Sequence, residues 1–417
     1  MRNLKPSSAL RALKNRDYRL FFFGQGVSLI GTWMQSIAAS WLIYRLTGSA
    51  LMLGLAGFLG QIPVFLISPF AGVLGDRLSR HRILMAVQIL SMLQAFSFAI
   101  VTLTGVVQVW HILLLSCILG IINAFEMPVR QAFVIEMIKD KSDLPNAIAL
   151  NSSIFNASRL IGPAIAGIIV AAAGEGICFL INGISYIAVI AAYLSMNVVT
   201  EKVRKTGGNV FADLKDGFFY AAGFVPIRDL LILIAGISLF GMTFPVLLPV
   251  FAAKIFGGGS HIFGMLVSAT GAGAFLATVY LAMRKSIQDQ GRVMNIGVYT
   301  LALSLMAFSY SEFIFLSVAL LVITGFSMIV VIASCNMLIQ AVVDEDKRGR
   351  VMSFYVMAFS GAAPIGSLLS GALSSKTGAP MTVFICGAAC LALGIVFSFR
   401  LPVVSELIKP ILAGKNK

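Results

Sequence analysis

Charge is what this 417-residue chain has least of: Asp, Glu, Lys and Arg make up 12% of it, against roughly 25% in an average soluble domain. So few charged side chains cannot clothe a water-facing surface, and with 59% of residues hydrophobic a soluble fold is excluded. Histidine is scarce too, since His81, His111 and His261 are the three present and stand apart at predicted helix ends. The five cysteines fall inside apolar segments, odd in number and without C-x-x-C spacing, so they read as small core hydrophobes. Clustered acids and histidines, or a nucleophile beside its base, are missing, which argues against a membrane enzyme and calls for no metal or cofactor. A phosphate-cradling G-x-x-x-x-G-K-[ST] loop is missing as well, so ATP does not drive transport within this chain and the energy must come from a gradient. After the basic stretch Met1 to Arg19 no small-residue cleavage site follows. The apolar run from Leu20 to Tyr44 therefore reads as a first membrane helix and not a signal peptide.

Long apolar runs are what the chain has in abundance. They cover about 20–44, 50–74, 83–105, 109–128, 147–173 and 176–198, then, after a polar stretch, about 230–252, 261–283, 293–310, 312–341, 351–374 and 380–402. Each is long enough to cross a hydrocarbon core of about 30 Å, which asks for about 20 apolar residues per helix. The expected fold is an all-α membrane protein of twelve transmembrane helices in two six-helix halves, residues 1–199 and 230–417, with a cytoplasmic linker at 200–229. In that linker Phe211, Leu214, Phe218 and Phe219 oppose Asp213, Lys215 and Asp216, the pattern of an amphipathic helix on the membrane surface.

The formal net charge of +14 would suggest nucleic acid in a soluble protein. Here it is topological. With the N-terminus inside, 27 of the 31 lysines and arginines fall on the cytoplasmic face, leaving Arg45, Lys254 and Lys376 opposite and Arg159 within a span. Both termini are expected in the cytoplasm, in a bacterial inner membrane.

Gly162-Pro163-Ala164-Ile165-Ala166-Gly167 in helix 5 is echoed 204 residues later by Gly366-Ser367-Leu368-Leu369-Ser370-Gly371 in helix 11. An echo six helices apart keeps its membrane orientation, as in the parallel repeat of a two-lobed transporter. Between helices 2 and 3 stands Gly72-Val73-Leu74-Gly75-Asp76-Arg77-Leu78-Ser79-Arg80-His81-Arg82, one acid among basic side chains. This turn resembles the G-x-L-x-D-R-x-G-R-K loop of the major facilitator superfamily at Gly72, Leu74, Asp76, Arg77 and Arg80. Ser79 replaces the glycine and His81 the lysine. Such a loop implies a state-dependent gating latch built from Gly72, Asp76, Arg77 and Arg80; a plain positive-inside anchor would explain the arginines but not the aspartate. The stretch Ser158 to Gly167 is similar to the G-x-x-x-G-P-x-x-G-G segment of exporting members, with Gly162, Pro163 and Gly167 matched and Ser158 and Ala166 departing from it. Further likeness at Gly31, Trp33, Gln35, Glu126, Pro128, Arg130, Pro245, Pro249, Arg348 and Arg350 points to the efflux branch with enterobactin exporters and macrolide efflux proteins. One departure bears on mechanism. Many proton-coupled members carry an arginine in helix 4 four residues before a glycine, where this chain has Ser116 before Gly120.

Polar groups inside hydrocarbon are expensive and usually face a cavity or a partner. Gln25, Ser28, Thr32 and Gln35 recur at helical spacing and are expected to line a substrate path, helix packing being the alternative. Helix 4 sets Asn123, Glu126 and Arg130 on one face. Two readings of Glu126 stand: a proton-coupling carboxylate, or a structural ion pair with Arg130 or Arg159. Arg159, with Asn151 and Asn156 on neighbouring turns, needs a partner or an anionic ligand. Asn336 and Gln340 in helix 10 join the path.

The expected function is secondary active export of a small amphipathic organic molecule, of siderophore or drug type, by alternating access in exchange for protons. An uncoupled facilitator or a lysolipid carrier is the alternative, and a channel or receptor fits less well. The partners are the substrate, the lipid bilayer and protons, with no nucleic acid, and the chain is expected to act as a monomer.

Overall fold

The computed structural model describes the backbone over residues 10–138, 140–196, 219–284, 289–345 and 347–415, with the side chains of 69, 72–77 and 410–415 left aside. Among the described residues there is no strand, and twelve helices are long and apolar enough to cross a membrane. They are α1 (Arg16–Thr47), α2 (Ala50–Arg77), α3 (Arg80–Leu103), α4 (Val109–Met137), α5 (Leu144–Ala173), α6 (Glu175–Leu194), α7 (Val225–Ile255), α8 (Ser260–Met283), α9 (Gln290–Ser309), α10 (Ile314–Val342), α11 (Arg348–Thr377) and α12 (Ala379–Lys415). A helix satisfies its own backbone hydrogen bonds, which is why spans in lipid take this form. Several run past their apolar stretch, α4 by nine residues beyond 128. Hydropathy marks the hydrocarbon, whereas the helix continues into the polar interface.

Local chemistry sets the ends. Asn15 caps α1, its side chain accepting from the Asp17 amide at 3.2 Å, and Gly48 closes the helix at φ 61°. Gly174 and Gly378 take φ 82° and 83° between α5 and α6 and between α11 and α12, so the echo found in the sequence extends to its turns. At the far end of α1, the guanidinium of Arg45 grips Glu175 twice, at 2.8 and 3.1 Å, where the carboxylate also faces the positive end of α6.

Helix 7 is not a regular α-helix. Within α7 a π segment (Ile237–Gly241), a turn at 242–243, a 3-10 turn (Phe244–Leu247) and a second π segment (Phe251–Ile255) follow the first α-helical stretch. Pro245 and Pro249 cannot donate to the preceding turn, so the ladder changes register around them.

Two compact units divide the chain: the first comprises Met1–Gly48, Leu59–Lys205 and Gly258–Ser268, the second Ser49–Phe58, Thr206–Gly257 and Ala269–Lys417. In the first, α6 packs on α1 and α3, and α4 packs on α3. In the second, α9 packs on α10 and α12, and α11 on α7. Of the expected linker helix, Phe211, Asp213, Leu214, Lys215, Asp216 and Phe218 lie outside the described residues.

Candidate functional site

The glycine echo is a packing device used twice. A Cβ on Gly162 would stand 2.6 Å from Trp33 Cβ, and one on Gly167 2.8 Å from the Ser260 carbonyl and 3.1 Å from Gly264 Cα. In the second unit a Cβ on Gly366 would meet the Leu239 carbonyl, and one on Gly371 would stand 2.7 Å from the Ala50 carbonyl and 2.9 Å from Gly54 Cα. Each helix thus presses one glycine against the first helix of its half and the other against a second glycine, the close approach that small residues permit. Pro163 sits inside an unbroken α5.

Beside Gly162 stands Arg159. Its guanidinium lies 5.8 Å from the centroid of the Trp33 ring, and Phe155 meets the same ring edge-on at 6.1 Å. Among the described residues no carboxylate pairs with Arg159, so of the two ion-pair alternatives for Glu126 the one with Arg159 does not form. A cation over an indole face gains about 0.5–2 kcal/mol, less than the roughly 2.5–3.5 kcal/mol that a charge at the centre of a span costs. Asn156 donates to the Ser152 carbonyl of its own helix at 2.9 Å, while Asn151 is half-buried one turn earlier.

Glu126 has a different partner. Arg130, one turn along α4, donates to Glu126 Oε1 at 2.9 Å, and Gln88 of α3 approaches the same oxygen at 3.4 Å. The two charged side chains are 13% and 14% exposed, so the pair is largely screened from solvent. Asn123 is half-buried on the same helix.

The polar stripe of α1 is buried. Gln25, Ser28 and Gln35 are each 2% exposed and turn into the interior of the first unit. Gln35 donates to Gln94 Oε1 at 2.9 Å and accepts from Asn182 at 2.8 Å, while Gln94 donates to the Leu115 carbonyl at 3.0 Å. Thr32 meets the Tyr186 hydroxyl at 3.3 Å. Periodicity finds a polar face, but amides on α3 and α6, distant in sequence, decide what it faces.

At the turn between α2 and α3, Gly72, Asp76 and Arg77 belong to α2, but their side chains lie outside the described residues. Arg80 donates to Glu136 Oε1 at 2.6 Å, tying α3 to the end of α4. Sequence reasoning missed Glu136; the one available signal was a second acid on α4, ten residues past Glu126. In the second unit, Gln340 donates to Asn336 Oδ1 at 2.5 Å along α10, with Tyr355 bonded to the Ile332 carbonyl one turn away.

Twelve spans and a glycine pair repeated in two helices are the build of a two-lobed multi-pass membrane transporter. The chain matches the family described as transmembrane secretion effector over residues 7–411, and it belongs to that family, within the efflux branch of the major facilitator superfamily. It is similar to the staphyloferrin A transporter of Staphylococcus aureus, 26% identical over 91% of this chain and 95% of that one. It is also similar to macrolide efflux protein A of Streptococcus pyogenes, 24% identical over 95% and 98%. Among solved structures, the nucleoside transporter NupG shares the fold, with a TM-score of 0.71 at 15% identity over 92% of this chain and 98% of that one.

Proposed function

We propose that this chain is a secondary active exporter of the bacterial inner membrane that moves a small amphipathic organic anion, siderophore-like in chemistry, out of the cytoplasm in exchange for protons. Two six-helix halves, residues 1–199 and 230–417 joined by 200–229, alternate access to the site, and both termini are cytoplasmic. The observation that carries the reading is Arg159. A guanidinium within a span, stacked on Trp33 and without a carboxylate partner among the described residues, has the geometry to take one from a ligand. Asn156 on the neighbouring turn and Asn123 on α4 offer neutral hydrogen bonds to the same ligand, and Asn336 and Gln340 are the path residues of the second unit. The likeness to the staphyloferrin A transporter supports a siderophore, and that to macrolide efflux protein A makes a drug the rival cargo. Glu126 is the coupling carboxylate, alternating between its bond to Arg130 and a proton. The latch of Gly72, Asp76, Arg77 and Arg80 holds the cytoplasmic side in one state.

One observation favours a second reading. The close Glu126–Arg130 pair is also what a structural carboxylate would make, and it would leave an uncoupled facilitator. Proteoliposomes with an imposed pH gradient decide, given staphyloferrin A, a catecholate siderophore and a macrolide in parallel. The proposal expects saturable, gradient-driven movement of a siderophore, lost in Arg159→Ala. Movement of the macrolide alone, unchanged in Arg159→Ala, would overturn the anionic cargo, and movement indifferent to the gradient would leave the facilitator.

A further inference from the structure

The interior of the first unit holds more polar chemistry than its visible bonds use. Gln88 and Ser91 on α3 are each 1% exposed and Gln25 on α1 is 2% exposed, yet Gln88 Oε1, Ser91 Oγ and Gln25 Oε1 find no hydrogen-bond partner among the described residues. Neither do Arg130 Nε on α4 and the Tyr193 hydroxyl on α6. Leaving a buried polar group unpaired costs roughly 1–3 kcal/mol, and five such atoms on four neighbouring helices are not a packing accident.

Their surroundings are continuous. Gln88 touches Glu126, which bonds Arg130, and Phe133, one turn beyond Arg130 on α4, packs against the Tyr193 ring. Tyr186 meets Thr32 and has Ser91 beside it. Thr32 in turn donates to the Ser28 carbonyl at 2.9 Å, with Gln25 one turn further down α1. On the cytoplasmic side, the Tyr193 ring is closed in by Phe21, Phe133 and His81, with centroids 6.4, 6.0 and 5.9 Å away. The His81 ring nitrogen Nε2 donates to the Tyr193 carbonyl at 2.9 Å. The titratable and charged groups around Glu126 and the relay are Arg130 on its own helix, Tyr186 and Tyr193 on α6, and His81 of α3 against the Tyr193 ring, while α1 offers Gln25, Ser28 and Thr32.

We propose that these five atoms hold a buried cluster of water molecules, and that this cluster, with the Tyr193 hydroxyl at its cytoplasmic end, is the relay through which Glu126 gains and loses its proton. The inference rests on the coupling role proposed for Glu126. A buried water makes about three hydrogen bonds to otherwise unsatisfied polar groups, and the spread of donors and acceptors here suits that. The step is balanced without any co-reactant: a hydrated proton gives its proton to the Glu126 carboxylate, leaving water and a neutral carboxyl, and Arg130 keeps its charge against the water cluster. Protons would then enter through the first unit apart from Arg159 and the substrate it holds.

The test needs no transported substrate and uses the full chain in lipid nanodiscs. X-ray pulses turn bound water into hydroxyl radicals that oxidise adjacent side chains, and mass spectrometry reads the sites. Tyr18, whose hydroxyl donates to the Ala147 carbonyl at 2.7 Å, is the dry control. Tyr186 and Tyr193 should be oxidised about fivefold or more above Tyr18 if water sits against them. Infrared difference spectra follow the Glu126 carboxyl band, assigned with Glu126→Gln, after a step from about pH 8 to about pH 5. Protonation should slow by about tenfold or more in Ser91→Val, which removes a hydroxyl without touching the ion pair, and recover in Ser91→Thr. Labelling of Tyr186 and Tyr193 no higher than of Tyr18 overturns the water cluster. Labelling with no proton gained by Glu126 defeats its coupling role and the relay together, whereas a normal rate in Ser91→Val defeats the relay alone.

Discussion

The two units build their interiors from the same helical scheme and fill them with different chemistry. Counted from the starts of α4 and α10, both 29 residues long, Glu126 and Arg130 correspond to Val331 and Cys335, each 0% exposed. Counted from the starts of α5 and α11, Arg159 corresponds to Ala363. The second unit fills its interior with neutral pairs instead: Ser304 with Thr324 at 2.9 Å, Gln290 with Ser334 at 2.7 Å, and Ser370 with Thr243 at 2.8 Å. Its buried carboxylate, Asp229, sits near the start of α7 and is gripped by Arg400 at 2.9 Å. What the two share is the glycine pair, and what separates them is charge in the span. The repeat thus separates a packing role, kept in both units, from charge, which stands at Glu126, Arg130 and Arg159 in the first and at Asp229 and Arg400 in the second.

That contrast is sharpened most by removing the first unit's charges. Arg159→Ala should abolish transport, by about a hundredfold or more if the ligand's bidentate partner is lost. Ligand uptake by well-inserted protein is the check, and Arg159→Lys should retain part of the activity because it keeps the charge without the fork. Glu126→Gln should remove gradient-driven movement while leaving ligand counterflow at equal pH within about twofold, since a neutral amide stands in for the protonated acid. A smaller loss is expected from Val331→Glu, which places an unpartnered carboxyl in a span of the second unit. Its destabilisation should be about 2–3 kcal/mol with no gain in coupling, read by thermal unfolding in detergent.

The shared feature predicts symmetry. Gly167→Leu and Gly371→Leu should lower transport to a similar degree, because each meets backbone within 3 Å, and a gap above about tenfold between them would break the repeat as a packing account. The smallest effect belongs to the neutral interior. A double-mutant cycle on Ser304→Ala and Thr324→Val should give a coupling of about 0.6 kcal/mol, the average for hydrogen bonds between membrane helices.

How much of this was legible in the sequence varied with the range of the interaction. The twelve spans follow from runs of about 20 apolar residues, a local property. The glycine pair was visible as an echo, and its geometric meaning needed Trp33, Gly264, Leu239 and Gly54, which only the fold brings close. The α1 stripe was visible, but its partners were not, because Gln94 and Asn182 lie 59 and 147 residues from Gln35. The breaks in α7 were hidden from hydropathy, which registers side chains and not the hydrogen-bond register of the backbone. Glu136 went unnoticed for the same reason as the stripe, its partner Arg80 being 56 residues away.

The most direct measurement is proton movement followed together with siderophore movement in proteoliposomes, for the wild-type chain and for Glu126→Gln. The account predicts protons moving opposite to the siderophore in the wild type, and ligand exchange without proton movement in Glu126→Gln. Proton-coupled movement that survives in Glu126→Gln would contradict it, and would place coupling outside the charged interior of the first unit.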